Sequence, residues 1–156
     1  MLFSRRNLTL LATLGSAGLL GGAFAFQYIG GMAPCQLCLY QRWPHGAAIL
    51  IGLLVLATGW RGLAWAGALA ALATAGIGMF HVGVEQLWWE GLATCTAGSI
   101  SGISTADLLN PAADVAAPVR CDQIAWSLFG ISMAGWNVIL SLGLAGVWVM
   151  AARKAD

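Results

Sequence analysis

The stretch "PCQLCLYQRWPHGAAILIGLLVLAT", residues Pro34 to Thr58, decides how many times this chain crosses a membrane. From Pro44 to Thr58 it is uncharged, yet too short to span alone, because a helix rises about 1.5 Å per residue and a hydrocarbon core is roughly 30 Å thick. A span is completed only by recruiting Leu39 to Trp43, or even Cys38, which places Arg42 just inside the boundary. Arginine is tolerated there because its long stem lets the guanidinium snorkel to the headgroups.

On either side lie three uncharged apolar runs, Leu8 to Ile29, Leu63 to Val84 and Leu128 to Met150, each long enough to cross by itself. With 60% apolar and 8% charged residues among 156, and a mean hydropathy of +0.81, the solvent for this chain is lipid. The reading is all-α: a polytopic membrane protein, a single four-transmembrane-helix bundle over 1–156, with spans at about 8–29, 39–58, 63–84 and 128–150. Arg5, Arg6, Arg61, Arg153 and Lys154 flank one face, and only Arg42 and Arg120 lie toward the other. The positive-inside rule therefore places both termini in the cytoplasm and the loops at about 30–38 and 85–127 outside.

A secretory signal is the competing reading of "SRRNLTLLATLGSAGLLGGAFA", which ends in Ala-x-Ala at Ala23 and Ala25. Its apolar run exceeds the usual h-region, and Gly18 with Gly22 makes a GxxxG helix-packing pattern, so a retained span is expected. Seven basic residues against six acidic ones, without a basic stripe, exclude nucleic acid as a partner. In the long second loop, "STADLLN" is expected to form one or two turns capped by Ser104 or Thr105.

All four cysteines fall outside, where thiols tend to be oxidised: Cys35 and Cys38 as C-x-x-C in the first loop, Cys95 and Cys121 in the second. One disulfide per loop is the simplest of three possible connectivities. Both could be structural staples, but a C-x-x-C ring closes almost no chain, gains little loop entropy and is usually redox-active. Neither His45 nor His81 completes a usual zinc spacing, so no metal is expected. Leu39 follows Cys38 where a c-type haem site needs histidine.

On a helical path Cys38 and Arg42 share a face. At ~6 Å and an effective dielectric near 20, a Cys38 thiolate and Arg42 would attract by roughly 3 kcal/mol, about two pKa units, favouring the thiolate. Pro44 is expected to interrupt the helix close by. Thiol oxidation needs an electron acceptor, and the chain has no flavin motif, haem ligand set or nucleotide loop. A lipid-soluble quinone contacting Cys38 and Arg42 at the interface fits.

The four spans, the run Cys35, Leu37, Cys38, Tyr40 and Arg42, the second pair Cys95 and Cys121, and "WSLFGISMAGWN" from Trp126 together resemble the bacterial disulfide bond formation protein B family, DsbB. The resemblance covers nearly the whole chain. It implies an inner-membrane thiol:quinone oxidoreductase that reoxidises a periplasmic DsbA-like thiol oxidase and passes electrons to the membrane quinone pool, ubiquinone or menaquinone. It further implies that Cys38 is the quinone-facing thiol, Cys35 its exchange partner and Arg42 the quinone-contacting cation. Cys95 would form the mixed disulfide with the partner, and Cys121 would exchange with Cys35. Gln86 resembles a family position near the quinone, while Pro44 and His45 depart from the family's pattern.

His81 and Glu85, four apart near the outer end of the third span, are candidates for handling protons at the quinone. Trp88 and Trp89 read as interfacial belt residues. The vitamin K epoxide reductase type is a related alternative, but there the C-x-x-C comes after the other pair, whereas here it comes first.

Overall fold

Three of the four helices begin on a side chain able to cap them. Ser4 accepts the Asn7 N–H ahead of α1 (Arg5–Tyr28), Cys35 Sγ accepts the Cys38 N–H ahead of α2 (Gln36–Thr58), and Ser132 accepts the Gly135 N–H ahead of α4 (Met133–Arg153). α3 (Gly62–Glu85) follows α2 after a turn at Gly59, whose φ of 70° is the left-handed conformation that ends helices. The computed structural model describes residues 4–93 and 119–154; the "STADLLN" segment and Cys95 lie outside them.

The helices run up and down in a closed ring. Each packs on its sequence neighbours, and α1 closes on α4. Three of them, α1, α3 and α4, are long and apolar enough to cross a membrane, and the chain is a helical membrane protein. α2, at 23 residues, is about 34 Å long and runs unbroken through Pro44. The expected interruption is absent because proline removes one backbone donor, leaving the Tyr40 carbonyl without its helical partner, while packing on both flanking helices holds the rest.

The apolar run from Leu128 is not helical from its start. Ser127–Leu128 (β1) pairs antiparallel with Ile131–Ser132 (β2), across a two-residue turn in which Phe129 and Gly130 have φ of 53° and 77°. Two consecutive positive φ values define the type I′ turn that suits the twist of a hairpin, and α4 therefore begins only at Met133.

Large side chains face out and small or polar ones face in. Leu11, Leu14, Leu50, Leu53, Leu69 and Leu142 are exposed, while Thr9, Thr13, Ser16, Ala48, Thr74 and Ser141 are buried. This suits a bundle solvated by lipid, where close backbone approach and interhelical hydrogen bonds replace the hydrophobic drive. At the end of the bundle near the termini, Leu8, Ala12, Val55, Ala64, Ala68 and Ala71 pack around a fully buried Trp148. A Cβ on Gly67 would lie 2.6 Å from the Trp148 ring, so glycine there lets α3 meet the indole directly.

Candidate functional site: a thiol pair beside a cavity

The opposite end of the bundle carries the cysteines. Cys35, as the cap of α2, and Cys38, in its first turn, have their sulfurs 2.7 Å apart, so a disulfide needs only a small closure. In the dithiol form the Cys35 thiol is pushed well above the ordinary thiol range. Its hydrogen bond to Cys38 is the largest cause, followed by burial and the neighbouring sulfur's charge. The proton of the pair thus stays on Cys35, which donates to Cys38.

Cys121 is disulfide-bonded and fully buried. It packs with Cys35, Leu37 and Val84 in one cluster, with Cys38 and Ile77 against it. His81 ties the cluster together: one ring nitrogen, Nε2, lies 3.2 Å from the Cys121 carbonyl and 3.7 Å from Cys35 Sγ, and the other, Nδ1, lies 3.0 Å from Gln41 Nε2. An amide N–H can only donate, so Nδ1 accepts and Nε2 carries the ring proton. Cys35, Cys38 and His81 bring three metal-ligating atoms within 4.8 Å of one another, yet both imidazole nitrogens are engaged in hydrogen bonds, which makes the ring an orienting group.

Beside the pair lies a cavity of about 370 Å³, bounded by all four helices and the segment before the hairpin, and lined by Cys35, Cys38, Arg42, His81 and Glu85 among mostly apolar groups. Arg42 is anchored on α1: Nη1 donates to Gln27 Oε1, Nη2 to the Ala23 carbonyl at 3.3 Å, and the guanidinium lies 4.9 Å from the Phe24 ring centre. Its Nε is buried without a hydrogen-bond partner among the described residues. Cys38 Sγ takes its hydrogen bond from Cys35, and Arg42 lines the same cavity.

A comparison with known protein families matches residues 5–151 to the family described as disulfide bond formation protein DsbB. The chain belongs to the DsbB family. It is 33% identical over 149 residues to a disulfide bond formation protein B from Methylococcus capsulatus, covering 90% of each chain. It is 31% identical over 166 residues to that of Aromatoleum aromaticum, covering 97% of this chain and 95% of the relative. The corresponding protein of Hahella chejuensis is 27% identical over 159 residues, covering 95% and 93%. No solved structure matches. DsbB membership carries a role in disulfide formation and the class of disulfide oxidoreductase.

Of the residues expected at the DsbB site, the structure brings Cys35, Cys38, Arg42 and Cys121 together, whereas Cys95 lies outside the described residues. Gln86 does not join them. It caps α3 through its backbone N–H and is exposed, and the inward face of the last turn instead carries His81 and Glu85, with Nε2 and Oε1 3.9 Å apart. Glu85 accepts from the Ser132 hydroxyl, which ties α3 to the cap of α4. Trp88 and Trp89 sit outside the cavity, with Trp89 stacked on Phe80 and donating to the Phe80 carbonyl at 2.9 Å.

Reading the sequence missed a second layer. Gln41, Thr74 and Asn137 form a buried hydrogen-bonded group in which Asn137 Nδ2 donates to Gln41 Oε1 at 2.7 Å and to Thr74 Oγ1 at 3.1 Å. The available signal was a polar amide inside an apolar span, which is a functional candidate by default.

Proposed function

We propose that the chain is a thiol:quinone oxidoreductase of the bacterial inner membrane, with the cysteine end in the periplasm, that reoxidises a DsbA-like thiol oxidase. The observation that carries this reading is the packing of Cys121 against a C-x-x-C pair that opens directly onto an apolar cavity. The residues present fit a quinone headgroup. The cavity is large enough, its walls are mostly apolar, and the buried Arg42 Nε is a donor without an acceptor among the described residues. Cys38 and Arg42 would hold the headgroup, which when bound takes up two electrons and two protons. The excess of basic residues at the terminal end supports the orientation.

Electrons enter when a reduced partner attacks the disulfide of the second loop at Cys95, forming a mixed disulfide and releasing Cys121 as a thiolate. Cys121 then attacks Cys35 Sγ: a Cys121–Cys35 bond forms, the Cys35–Cys38 bond breaks, and Cys38 leaves as a thiolate at the cavity wall. His81, hydrogen-bonded to the Cys121 carbonyl, holds attacker and target together. The partner's second thiol then breaks the mixed disulfide, and the partner leaves as its own disulfide. The freed Cys95 attacks Cys121, restoring the second-loop disulfide and releasing Cys35. Cys35 and Cys38 are left as the dithiol whose two electrons the bound headgroup would take, so that per cycle two partner thiols become one disulfide.

The test is rapid mixing of quinone-loaded protein with excess reduced DsbA-like protein, following quinone absorbance and thiol state. Wild type is expected to lose quinone absorbance in step with thiol oxidation, and Cys38→Ser and Cys95→Ser are expected to show neither. Unchanged absorbance with intact wild-type disulfides, across several thiol oxidases, would leave the cysteines as structural staples.

A further inference from the structure

The hydrogen bonds of the buried amides fix the protonation of a histidine that no step above uses. Gln41 Nε2 donates to the Leu37 carbonyl at 3.1 Å, and a carbonyl can only accept, so the orientation of the Gln41 amide is settled by the backbone. Its Oε1 must then accept from Asn137 Nδ2, which also donates to the Thr74 carbonyl at 3.3 Å, a second backbone anchor. Asn137 Oδ1 is therefore an acceptor, and the His45 Nε2 that lies 2.9 Å from it must carry the ring proton.

The ring is 4% exposed, Arg42 stands one turn before it, and no carboxylate is bonded to it among the described residues. A buried imidazole in that setting is neutral. Its Nδ1 is then a bare acceptor, and it has no hydrogen-bond partner among the described residues. Buried acceptors are nearly always satisfied. His45 forms part of the wall of the same cavity as Cys38 and Arg42, which makes an occupant of that cavity a source for the missing donor.

We infer that His45 Nδ1 accepts a hydrogen bond from a hydroxyl of the reduced headgroup, so that the cavity binds quinol in preference to quinone. The inference rests on the quinone reading of the cavity. An oxidised headgroup carries only carbonyl acceptors and has nothing to offer Nδ1; a reduced one carries hydroxyl donors. Preference for the reduced form makes the bound quinone a stronger oxidant, the direction required to draw electrons from the thiols.

The experiment measures dissociation constants of a short-tailed ubiquinone and of its quinol for the full chain in detergent, with all cysteines oxidised so that the quinone finds no thiol to oxidise and transfer from the quinol to a disulfide runs uphill. Wild type is expected to bind quinol more tightly. His45→Leu should weaken quinol by about tenfold and quinone by less than about twofold, the size of one neutral hydrogen bond, lowering the midpoint potential of the bound couple by about 30 mV. His45→Gln, with an amide that can serve both neighbours, should restore the preference. Asn137 Oδ1 keeps its Ser141 donor in either variant, at 3.2 Å.

Equal losses for both forms, or none, would overturn the role of His45 while leaving the cavity a quinone site. No binding of either form to wild type would overturn the quinone reading and this inference together. Nitrogen-15 spectra of the wild-type histidines give a readout independent of any variant. The Nδ1 resonance of His45 should have the position of a free acceptor in empty and quinone-loaded protein and shift on adding quinol; a position already hydrogen-bonded in empty protein and unmoved by quinol would mean that a water fills the place.

Discussion

At the terminal end of the bundle the helices meet on alanine and glycine around Trp148, with side chains filling the space between them. At the cysteine end the same four helices stand around a cavity of about 370 Å³, bridged by Gln41, Thr74, His81 and Asn137. Close approach at one end is what leaves the other free to be hollow: α3 and α4 are fixed against each other at Gly67, so the polar groups above need only orient one another. Stability and chemistry are therefore separated along the bundle axis.

The largest effect expected from testing this separation is on stability. Trp148→Ala should cost about 3–5 kcal/mol of resistance to unfolding, the usual range for a buried aromatic, while leaving quinone affinity of the folded fraction within about twofold. Trp148→Phe should cost much less, since it keeps most of the ring contact and removes an indole N–H that has no hydrogen-bond partner among the described residues. Thermal unfolding and quinone titration on the same samples check both. A large affinity change in Trp148→Ala would show that the two ends are coupled.

The next effect lies at the hollow end and falls on affinity. Arg42→Ala should weaken quinone binding by about ten- to a hundredfold, as expected for a hydrogen bond from a charged donor, with a smaller loss of stability from its contacts to α1. Arg42→Lys keeps the charge but not the planar fork, and should recover only part of the affinity. Titration with a short-tailed ubiquinone measures this. A full recovery by lysine would mean that charge alone acts at this position.

Most of the architecture was legible because lipid makes stringent demands. Uncharged runs of span length announce helices, and Arg42 had to snorkel if Pro34 to Thr58 was to make a fourth. The cysteine spacing carried the chemistry in the same way. What stayed hidden needed contacts between helices. Gln41, Thr74 and Asn137 each read as one polar residue in an apolar run, and no spacing along a single helix says that they meet. The hairpin escaped because "LFGI" continues the apolar pattern of the span after it; only the pair of positive φ values at Phe129 and Gly130 separates strand from helix. Gln86 is exposed at the cap of α3 while Glu85, one residue earlier, lines the cavity, because one residue on a helix is about 100° of rotation, and a likeness of sequence does not carry that angle.

The smallest expected effect distinguishes the two redox forms of the cysteine end. In the dithiol form the Cys35 thiol is held above its ordinary range, so the folded state keeps a proton that the unfolded chain gives up. That stabilisation is complete below the unfolded thiol pKa of about 8.5 and is lost progressively as pH rises above it. The disulfide form has no thiol to titrate there. Cys38, held below the ordinary thiol range chiefly by the hydrogen bond from Cys35, contributes in the opposite sense, but only up to the unfolded thiol pKa. Above about pH 8.5 the Cys35 loss stands alone, and between about pH 9 and 10.5 the unfolding temperature of the reduced protein should fall further than that of the oxidised protein. The Asp122 carboxyl, held below the usual carboxylate range by its hydrogen bond from Arg120, contributes in the opposite sense, above its unfolded pKa of about 3.9 and lost only as pH falls below it, so it is constant over this interval. Parallel curves for the two redox forms would mean that the folded pair does not hold the proton on Cys35, and the geometry that leaves Cys38 free to act as the leaving thiolate would lose its support.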